Sequence, residues 1–389
     1  FIMVLAVSLW FGETVLGETK WIEHKILADD GAAGDYFGIN VSICGSHAIV
    51  SATSDDETET DTGAAFIFEN HGSGWTQKAK LTVGDASAED YFGYGVSIWG
   101  NHAMVGAAWD DDNGTDSGSV YIFEKNGSAW TQAAKLTAAD GAAGDRFGIG
   151  TSICSDVAVV GADHNNGVGA AYIFEKIGTT WTQTAKLVPA DGVAEGFFGA
   201  PVSLSGDHLI IGASGDDDLG PFSGSAYIFE RENGVWVQTA KLTAGDGAER
   251  DRFGFGASIS GNHAVVTAFG DSDTGTYSGS AYIFEKNGAT WTQVAKLTEG
   301  DGAAENRFFG YGASISGDRA VVSAPNAGYI SSGLPGAVYI FEKIGAAWSR
   351  VEKITASDGM FEDRFGREIS FSGEHLIIGS FRDDDNGED

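Results

Sequence analysis

Short apolar runs alternate with polar positions along almost the whole chain, with the period of two that is typical of half-buried β-strands. In residues 253–307 there are four such runs, which we name A to D and which cover residues 256–260, 264–268, 280–285 and 291–298. Gly, Asn, Asp and Ser separate the runs, and the A–B and C–D links are short enough to be hairpins. The pattern predicts a four-stranded antiparallel meander.

This unit recurs along the chain, and a Phe-Gly pair at steps of 51 to 56 residues marks each copy. A lone sheet of four short strands leaves both faces in water, whereas sheets stacked around an axis bury one another. Radial repetition of four-stranded units is a β-propeller, so the seven copies predict an all-β, seven-bladed β-propeller. The repeat motif comprises Phe37, Gly38, Phe92, Gly93, Phe147, Gly148, Phe198, Gly199, Phe253, Gly254, Phe309, Gly310, Phe365 and Gly366.

The two ends of the chain depart from the repeat. Its first residues, FIMVLAVSLWFG, form a continuous apolar run that is too short to span a bilayer. We interpret residues 1–17 as the remnant of a secretory signal peptide, with a strand that closes the ring as the alternative. Residues 18–389 then form the propeller. The sequence contains seven runs of types A, B and D but six clear runs of type C. The unit that begins at Phe365 ends after its B run, and the D run at residues 21–27 has no A or B run before it. We therefore predict that this N-terminal run completes the last blade. The last residues, DDDNGED, stop inside a loop, and we expect the native chain to continue.

Acidic residues gather at one end of the predicted blades, where a meander brings the B–C and D–A loops together. Pairs such as Glu124-Lys125 at the other end neutralise themselves. The chain has 55 acidic and 23 basic residues, and the net charge of −32 excludes nucleic acid and anionic membranes as natural partners. We expect one strongly acidic face; the alternative is a charge that only aids solubility in salty water. The acids are Asp55, Asp56, Glu57, Asp110, Asp111, Asp112, Asp216, Asp217, Asp218, Asp271, Asp273, Asp383, Asp384 and Asp385 in B–C loops, and Asp30, Asp35, Asp140, Asp145, Asp246, Asp251, Asp358 and Asp363 in D–A loops.

The acidic loops are candidate Ca²⁺ sites. DDDNGTDSG, from Asp110 to Gly118, places oxygen ligands and a sharp-turn glycine at hard-cation spacing. The alternative is that Asp and Asn only start turns and cap N–H groups. If Ca²⁺ binds, millimolar Ca²⁺ should stabilise the protein more than NaCl of equal ionic strength. The candidate ligands are Asp110, Asp111, Asp112, Asp216, Asp217, Asp218, Asp271 and Asp273.

Two other repeated side chains are weaker candidates. The histidines at the A–B turns come from different blades and diverge, so we interpret them as turn residues rather than a metal site. The tryptophans that begin the D runs form either inter-blade core or sugar-stacking platforms. No nucleophile has a matching acid or base, and no catalytic residue is predicted. The residues are His47, His102, His208, His263 and His375, and Trp21, Trp75, Trp130, Trp181, Trp236, Trp291 and Trp348.

The motifs resemble the FG-GAP repeat proteins, relatives of the integrin alpha-chain propeller. The Phe-Gly pairs match the first half of that name, and Val105-Gly106-Ala107, Ile211-Gly212-Ala213 and Val322-Ser323-Ala324-Pro325 match the second. The likeness runs from residue 21 to the end. Integrin-type repeats carry a DxDxDG calcium loop between the two halves, where this chain has only a tight turn at residues 260–263. The resemblance therefore implies an extracellular recognition propeller without those calcium sites.

Three functions fit these observations. The first is an extracellular, secreted or cell-surface adhesion or protein-interaction propeller whose acidic face binds Ca²⁺ or a cationic partner. The second is a lectin-like propeller. The third is an enzyme scaffold, which needs one blade to break the repeat with a distinct polar cluster; unit six breaks it at residues 329–335 without an acid, base or nucleophile set. We predict no enzymatic activity, an unidentified protein or glycan ligand, no membrane span and a monomeric ring.

Overall fold

The strands of the protein form four-stranded antiparallel sheets. The computed structural model describes residues 6–15, 18–56, 60–72, 74–300, 308–325, 336–360 and 363–383. Within these ranges, seven such sheets are present. The fold class that the alternation predicted, an all-β propeller with four-stranded antiparallel blades, is confirmed.

Six sheets each use four consecutive strands, and the seventh combines both ends of the chain. The strands, in chain order, are β1 (Ala6–Val15) and β2 (Glu18–Leu27); β3 (Phe37–Cys44), β4 (His47–Ala52), β5 (Ala64–Asn70) and β6 (Trp75–Leu81) in blade 1; β7 (Gly95–Trp99), β8 (His102–Ala107), β9 (Ser119–Asn126) and β10 (Ala129–Leu136) in blade 2; β11 (Gly150–Cys154), β12 (Val157–Ala162), β13 (Ala170–Ile177) and β14 (Thr180–Leu187) in blade 3; β15 (Val202–Ser205), β16 (His208–Ala213), β17 (Ser225–Glu232) and β18 (Val235–Leu242) in blade 4; β19 (Phe253–Ser260), β20 (His263–Ala268), β21 (Ser280–Asn287) and β22 (Thr290–Leu297) in blade 5; β23 (Ala313–Ser316), β24 (Arg319–Ala324), β25 (Ala337–Ile344) and β26 (Ala347–Ile354) in blade 6; and β27 (Ile369–Ser372) and β28 (His375–Ser380) in blade 7.

Blade 7 is completed by the N-terminal segment. The strand order is β2-β1-β28-β27, so β1 takes the position of strand C and β2 that of strand D. In the antiparallel register, Ala6 lies opposite Ser380 and Phe11 lies opposite His375. Pairing the two ends of the chain in one sheet removes the open edges that a broken ring would expose. Of the segment assigned to residues 1–17, residues 1–5 and 16–17 lie outside the described residues.

Each Phe-Gly phenylalanine packs between two blades. Phe92 contacts Tyr121 and Phe123 of its own blade edge to face, with ring centroids 5.5 and 6.1 Å apart. The same apolar cluster contains Ile67 and Leu81 of blade 1. All seven phenylalanines are at most 1% exposed. Because the B strands have a blade on either side, they are buried on both faces, as the pattern of β20 shows.

The glycine of the pair allows the blades to approach closely. Gly93 has a φ of 107°, in the left-handed region that side chains disfavour. A Cβ atom there would lie 2.8 Å from the Cβ of Ser51 and 3.0 Å from the carbonyl oxygen of Ala64, both in blade 1. Any larger residue would therefore force the two blades apart.

A ring of serine hydrogen bonds joins the innermost strands. Each serine accepts a backbone N–H from the next blade, as where Ile98 N donates to Ser42 Oγ at 3.3 Å. The contact from Ile43 N to Ser370 Oγ, at 3.1 Å, links blade 7 to blade 1 and closes the circle. The other donors and acceptors are Ile153 and Ser97, Leu204 and Ser152, Ile259 and Ser203, Ile315 and Ser258, and Phe371 and Ser314.

Helical structure is confined to one 3₁₀ turn at Asn165–Gly167 within the described ranges. No helix in that part of the chain has the length and apolar character needed to cross a membrane.

Candidate functional site

The B–C and D–A loops form one end of the ring, which we call the loop face. Loops of neighbouring blades hydrogen-bond there through their backbones: Gly144 N donates to Thr115 O at 2.8 Å, and Phe147 N donates to Ser117 O at 3.0 Å. Because the B–C loop of one blade is tied to the D–A loop before the next, side chains of separate repeats meet on this face.

A lysine lies at the centre of the carboxylates in blade 2. Lys135, on strand β10, has its Nζ atom 2.9 Å from Asp85, 3.0 Å from Asp110 and 2.5 Å from Asp112. Asp85 belongs to the D–A loop before the blade, whereas Asp110 and Asp112 belong to its B–C loop. We call this arrangement a lysine–carboxylate cluster.

The cluster recurs around the ring. In each case the lysine of strand D meets an aspartate of the preceding D–A loop, and in most blades also one or two of the B–C loop. The other clusters are Lys25 with Asp358 and Asp383, Lys80 with Asp30 and Asp55, Lys186 with Asp140, Lys241 with Asp191, Asp216 and Asp218, and Lys296 with Asp246, Asp271 and Asp273.

In five blades the first aspartate of the B–C loop is buried, namely Asp55, Asp110, Asp216, Asp271 and Asp383. Asp271 is buried, and its Oδ2 accepts hydrogen bonds from the Tyr282 hydroxyl and Lys296 Nζ, both at 2.8 Å. Burial alone lowers the pKa of Lys296, but hydrogen bonds to the surrounding carboxylates outweigh it and hold the pKa above its ordinary value. The lysine is therefore a permanent positive charge at the centre of the cluster.

The structure separates the predicted Ca²⁺ ligands into two groups. Asp110, Asp112, Asp216, Asp218, Asp271 and Asp273 converge on lysines. Asp111 and Asp217 do not, because each holds a turn: Asp116 N donates to Asp111 Oδ1 and Phe222 N donates to Asp217 Oδ1, both at 2.8 Å. Glu57, Asp384 and Asp385 lie outside the described residues.

One cluster has the spacing of a metal site. Carboxylate oxygens of Asp246, Asp271 and Asp273 lie within 4.8 Å of one another. Oxygen ligands suit Ca²⁺, but Lys296 Nζ already lies 2.6 to 2.8 Å from all three carboxylates. A cation entering here has to displace the ammonium group, and Ca²⁺ binding stays a prediction. Sequence reasoning did not include Asp246 among the ligands, because it belongs to a different loop from the other two.

In five D–A loops a second aspartate, five residues after the first, caps its own turn. Asp90 is buried, and its Oδ2 accepts a hydrogen bond from Ser87 N at 2.6 Å. Burial raises the pKa of Asp90 to about 6, and the negative charge of Asp110 adds to this effect. The same bond recurs at Asp35, Asp145, Asp251 and Asp363.

The raised pKa of Asp90 predicts a pH dependence of stability. Because the folded-state pKa exceeds the ordinary value of 3.8, the contribution of Asp90 is complete below about pH 4 and is lost as pH rises through about 6. An Asp90→Asn variant keeps the acceptor but does not titrate. We expect its unfolding free energy, relative to wild type, to increase between pH 4 and pH 7 in urea denaturation. A constant difference across this range would contradict the buried titrating carboxylate.

At the opposite end of the ring, which we call the turn end, the glutamates of the C strands are balanced by single cations. Glutamates there pair with a cation of the next blade, as where Lys176 Nζ lies 2.8 Å from Glu124 Oε1. His102 packs edge to face on Trp181 of the next blade, 5.7 Å between ring centroids, and burial lowers its pKa. The histidines thus contact tryptophans of neighbouring blades. Trp75, Trp181, Trp236 and Trp291 are buried, and the other tryptophans of the series are half-buried.

The channel along the ring axis contains residues that sequence reasoning missed. A cavity of about 650 Å³ is lined by the A strands and by loop-face residues that include Arg146, Arg252, Arg367 and Glu368. Sister blades have Gly95, Gly150, Gly256 and Gly312 at the position of Glu368. In those blades the Phe-Gly pair is followed by an uncharged residue and a glycine, whereas in unit seven it is followed by Arg-Glu. This difference between repeats could have identified the two residues from sequence. The break predicted at residues 329–335 lies outside the described residues.

Comparison of the sequence with models of known protein families identifies the family of this chain. The chain is a repeat β-propeller, and its sequence matches the FG-GAP repeat at residues 21–68, 75–123, 130–174, 181–229, 236–284, 291–341 and 348–389. Since the matches cover most of the chain, it belongs to the FG-GAP repeat family, as the motifs indicated. Comparison with curated proteins gave no significant match.

Solved structures share the fold. A crystal structure from Bacteroides fragilis, which carries a provisional assignment as a 6-phosphogluconolactonase, superimposes with a TM-score of 0.55 at 12% sequence identity. The match covers 91% of this chain and 96% of that one. At this identity the likeness shows a common propeller architecture and nothing about activity.

Proposed function

We propose that this FG-GAP propeller is a protein-interaction module that works outside the cell or on its surface and binds a basic partner through its loop face. The observation that carries the proposal is the separation of charge between the two ends of the ring. In blade 4, the single Lys241 faces Asp191, Asp216 and Asp218, whereas at the turn end the single Arg231 faces the single Glu175. The loop face keeps an excess of negative charge after its lysines are counted.

Exposed carboxylates make that excess available to a partner. Asp56, Asp111 and Asp217 are exposed, and each uses one oxygen in its turn and presents the other to solvent. A face of one sign attracts a partner of the opposite sign and orients it during encounter. FG-GAP membership supports an extracellular role, and the fold supports protein interaction rather than a particular ligand.

The alternatives have less support. A lectin-like function relied on the tryptophan series, but Trp181 and Trp291 are buried between blades and offer no open stacking surface. A propeller enzyme is consistent with the provisional assignment of the Bacteroides structure, but the low identity transfers no activity. We therefore retain the binding module, without enzymatic activity, as the proposal.

The test neutralises the loop face without breaking its turns. In the triple variant Asp56→Asn, Asp111→Asn, Asp217→Asn, each amide oxygen can still accept the turn hydrogen bond. The control replaces three exposed aspartates at the turn end, Asp156, Asp207 and Asp318, by asparagine and changes net charge equally. The probe is fluorescent poly-lysine, followed by anisotropy at low and physiological salt.

We expect the loop-face variant to bind poly-lysine roughly tenfold more weakly at low salt, since each exposed ion pair contributes a fraction of a kcal/mol. The control should bind like wild type. Equal weakening of both variants would show that only net charge matters and would overturn a loop-face binding site.

A further inference from the structure

Three arginines line the channel at the loop-face end, although the protein as a whole is strongly acidic. Arg146 and Arg252 precede Phe-Gly pairs, and Arg367 follows one. In the part of the chain that the structure describes, none of these guanidinium groups forms an ion pair. By contrast, Arg231 and Arg319 pair with glutamates. Three cations that form no ion pair therefore line one cavity, which also contains Asp163 and Glu368.

Aromatic rings hold the arginines by their flat faces. Arg367 lies over Tyr311, with 4.8 Å between Cζ and the ring centroid, and Arg146 lies over Trp109 at 5.7 Å. Stacking covers the face of a guanidinium but leaves its N–H groups, which point outward in the plane, available as donors. The stacking thus fixes the orientation of the guanidinium groups and leaves their N–H donors available to a ligand.

The polar groups face one region of the cavity. Tyr94 contacts Trp109 with 4.5 Å between ring centroids. Burial raises the pKa of Tyr94, and the charges of Arg367, Arg146 and Asp163 act on the same hydroxyl. Asp163 is itself hydrogen-bonded to His164 Nδ1 at 2.7 Å. These side chains from blades 2, 3 and 7 therefore line the same cavity and are close enough to interact electrostatically.

The repeat does not require these charges. Blade 3 has Ile149 and Gly150 at the positions of Arg367 and Glu368, and it forms the same four-stranded sheet with a left-handed glycine, Gly148, in its Phe-Gly pair. The charged pair of blade 7 is thus an addition to a scaffold that forms without it. Burial raises the pKa of Glu368 to about 7, while the charge of Arg367 opposes this shift.

We propose that the mouth of the central channel binds a small organic or inorganic anion, a molecule with at least one carboxylate or phosphate group, through Arg146, Arg252 and Arg367. Planar N–H pairs match the two oxygens of a carboxylate or phosphate. A cavity of about 650 Å³ has the volume of a small-molecule site. The loop-face carboxylates do not prevent this, because at physiological salt their field decays over about 8 Å.

The test measures binding of two probes, citrate and inorganic phosphate, by calorimetry at constant ionic strength and neutral pH. The main variant, Arg367→Ile with Glu368→Gly, gives blade 7 the residue pair of blade 3, so it is expected to fold. A second variant, Arg252→Tyr, installs the residue that precedes Phe92 in blade 2. The control is Arg250→Gln, since Arg250 is exposed and does not line the channel.

We expect at least one probe to bind saturably near one equivalent per chain. Both channel variants should weaken it at least about tenfold, which corresponds to about 1.4 kcal/mol, and the control should not. Binding of citrate alone assigns a carboxylate ligand, and binding of phosphate alone assigns a phosphate ligand. The proposal is overturned if neither probe binds at millimolar concentration, or if wild type and both channel variants bind equally. Circular dichroism decides whether a variant is folded, and either folded variant is sufficient.

Discussion

Replacing Phe253 by alanine is expected to lower the free energy of unfolding by about 3–5 kcal/mol, the cost of truncating a large buried aromatic side chain. Phe253 is 1% exposed and packs on Tyr282 and Phe284, with ring centroids 5.5 and 6.0 Å apart. The cluster also includes Ile228 and Leu242 of blade 4, so the cavity opens between two blades. Chemical denaturation followed by tryptophan fluorescence measures the effect.

A matched control comes from the outer strand of blade 4. Val237 is 42% exposed, and Val237→Ala should cost less than about 0.5 kcal/mol, as surface substitutions usually do. A cost below about 1 kcal/mol for Phe253→Ala would contradict the wedge between the blades, because a fully buried phenylalanine cannot be removed so cheaply from a packed core.

The propeller was predictable because its determinants are local. The runs at residues 256–260, 264–268, 280–285 and 291–298 match strands β19 to β22 to within three residues at every boundary. Turn residues and apolar alternation set these elements, and the Phe-Gly spacing sets their repetition. The observed strand boundaries differ from the predicted ones because backbone pairing extends a strand beyond its apolar run. Strand β19, for example, begins at Phe253 because this residue pairs with Ala268.

The lysine–carboxylate clusters were not predicted because they assemble through space. Asp246 and Lys296 lie 50 residues apart, in different repeats, and meet at 2.6 Å. A lysine near the end of each D strand was visible in the sequence, as at Lys135, Lys241 and Lys296. Its role follows only once the D–A loop of one repeat is placed beside the B–C loop of the next. The sequence alone therefore left Ca²⁺ and turn formation as the two interpretations.

The channel residues were missed for a related reason. Arg367 and Glu368 lie between a Phe-Gly pair and Ile369, the first residue of β27, so no apolar alternation marks them as facing the channel. Only a closed ring defines an axis on which side chains of distant blades, such as Trp109 and Tyr311, converge. Comparing each repeat position across the units, rather than looking for a disrupted loop, identifies the pair from sequence.

Replacing Lys296 by methionine is expected to destabilise the protein by roughly 2–4 kcal/mol, since removing one partner leaves a buried charge uncompensated. The Asp271 side chain is 3% exposed, and Lys296 Nζ is its cationic partner at 2.8 Å. Methionine keeps much of the aliphatic volume, so the loss reports the charge. Lys78, which is exposed, supplies the control: Lys78→Met should change stability by less than about 0.5 kcal/mol.

The same variant tests what the acidic loops bind. Without the ammonium, the oxygens of Asp246, Asp271 and Asp273, within 4.8 Å of one another, become a set of hard-cation ligands. Ca²⁺ should then raise the melting temperature of Lys296→Met more than NaCl of equal ionic strength does, because a ligand at a hundredfold excess over its Kd contributes about 2.7 kcal/mol.

The response of wild type to Ca²⁺ shows what occupies the cluster in the native protein. If wild type also gains specifically from Ca²⁺, the ion enters beside the lysines and the sequence prediction holds; if Ca²⁺ and NaCl act equally on wild type, that prediction is wrong and lysine is the resident cation. A variant that neither loses stability nor responds to Ca²⁺ would contradict a cluster held together by its central charge.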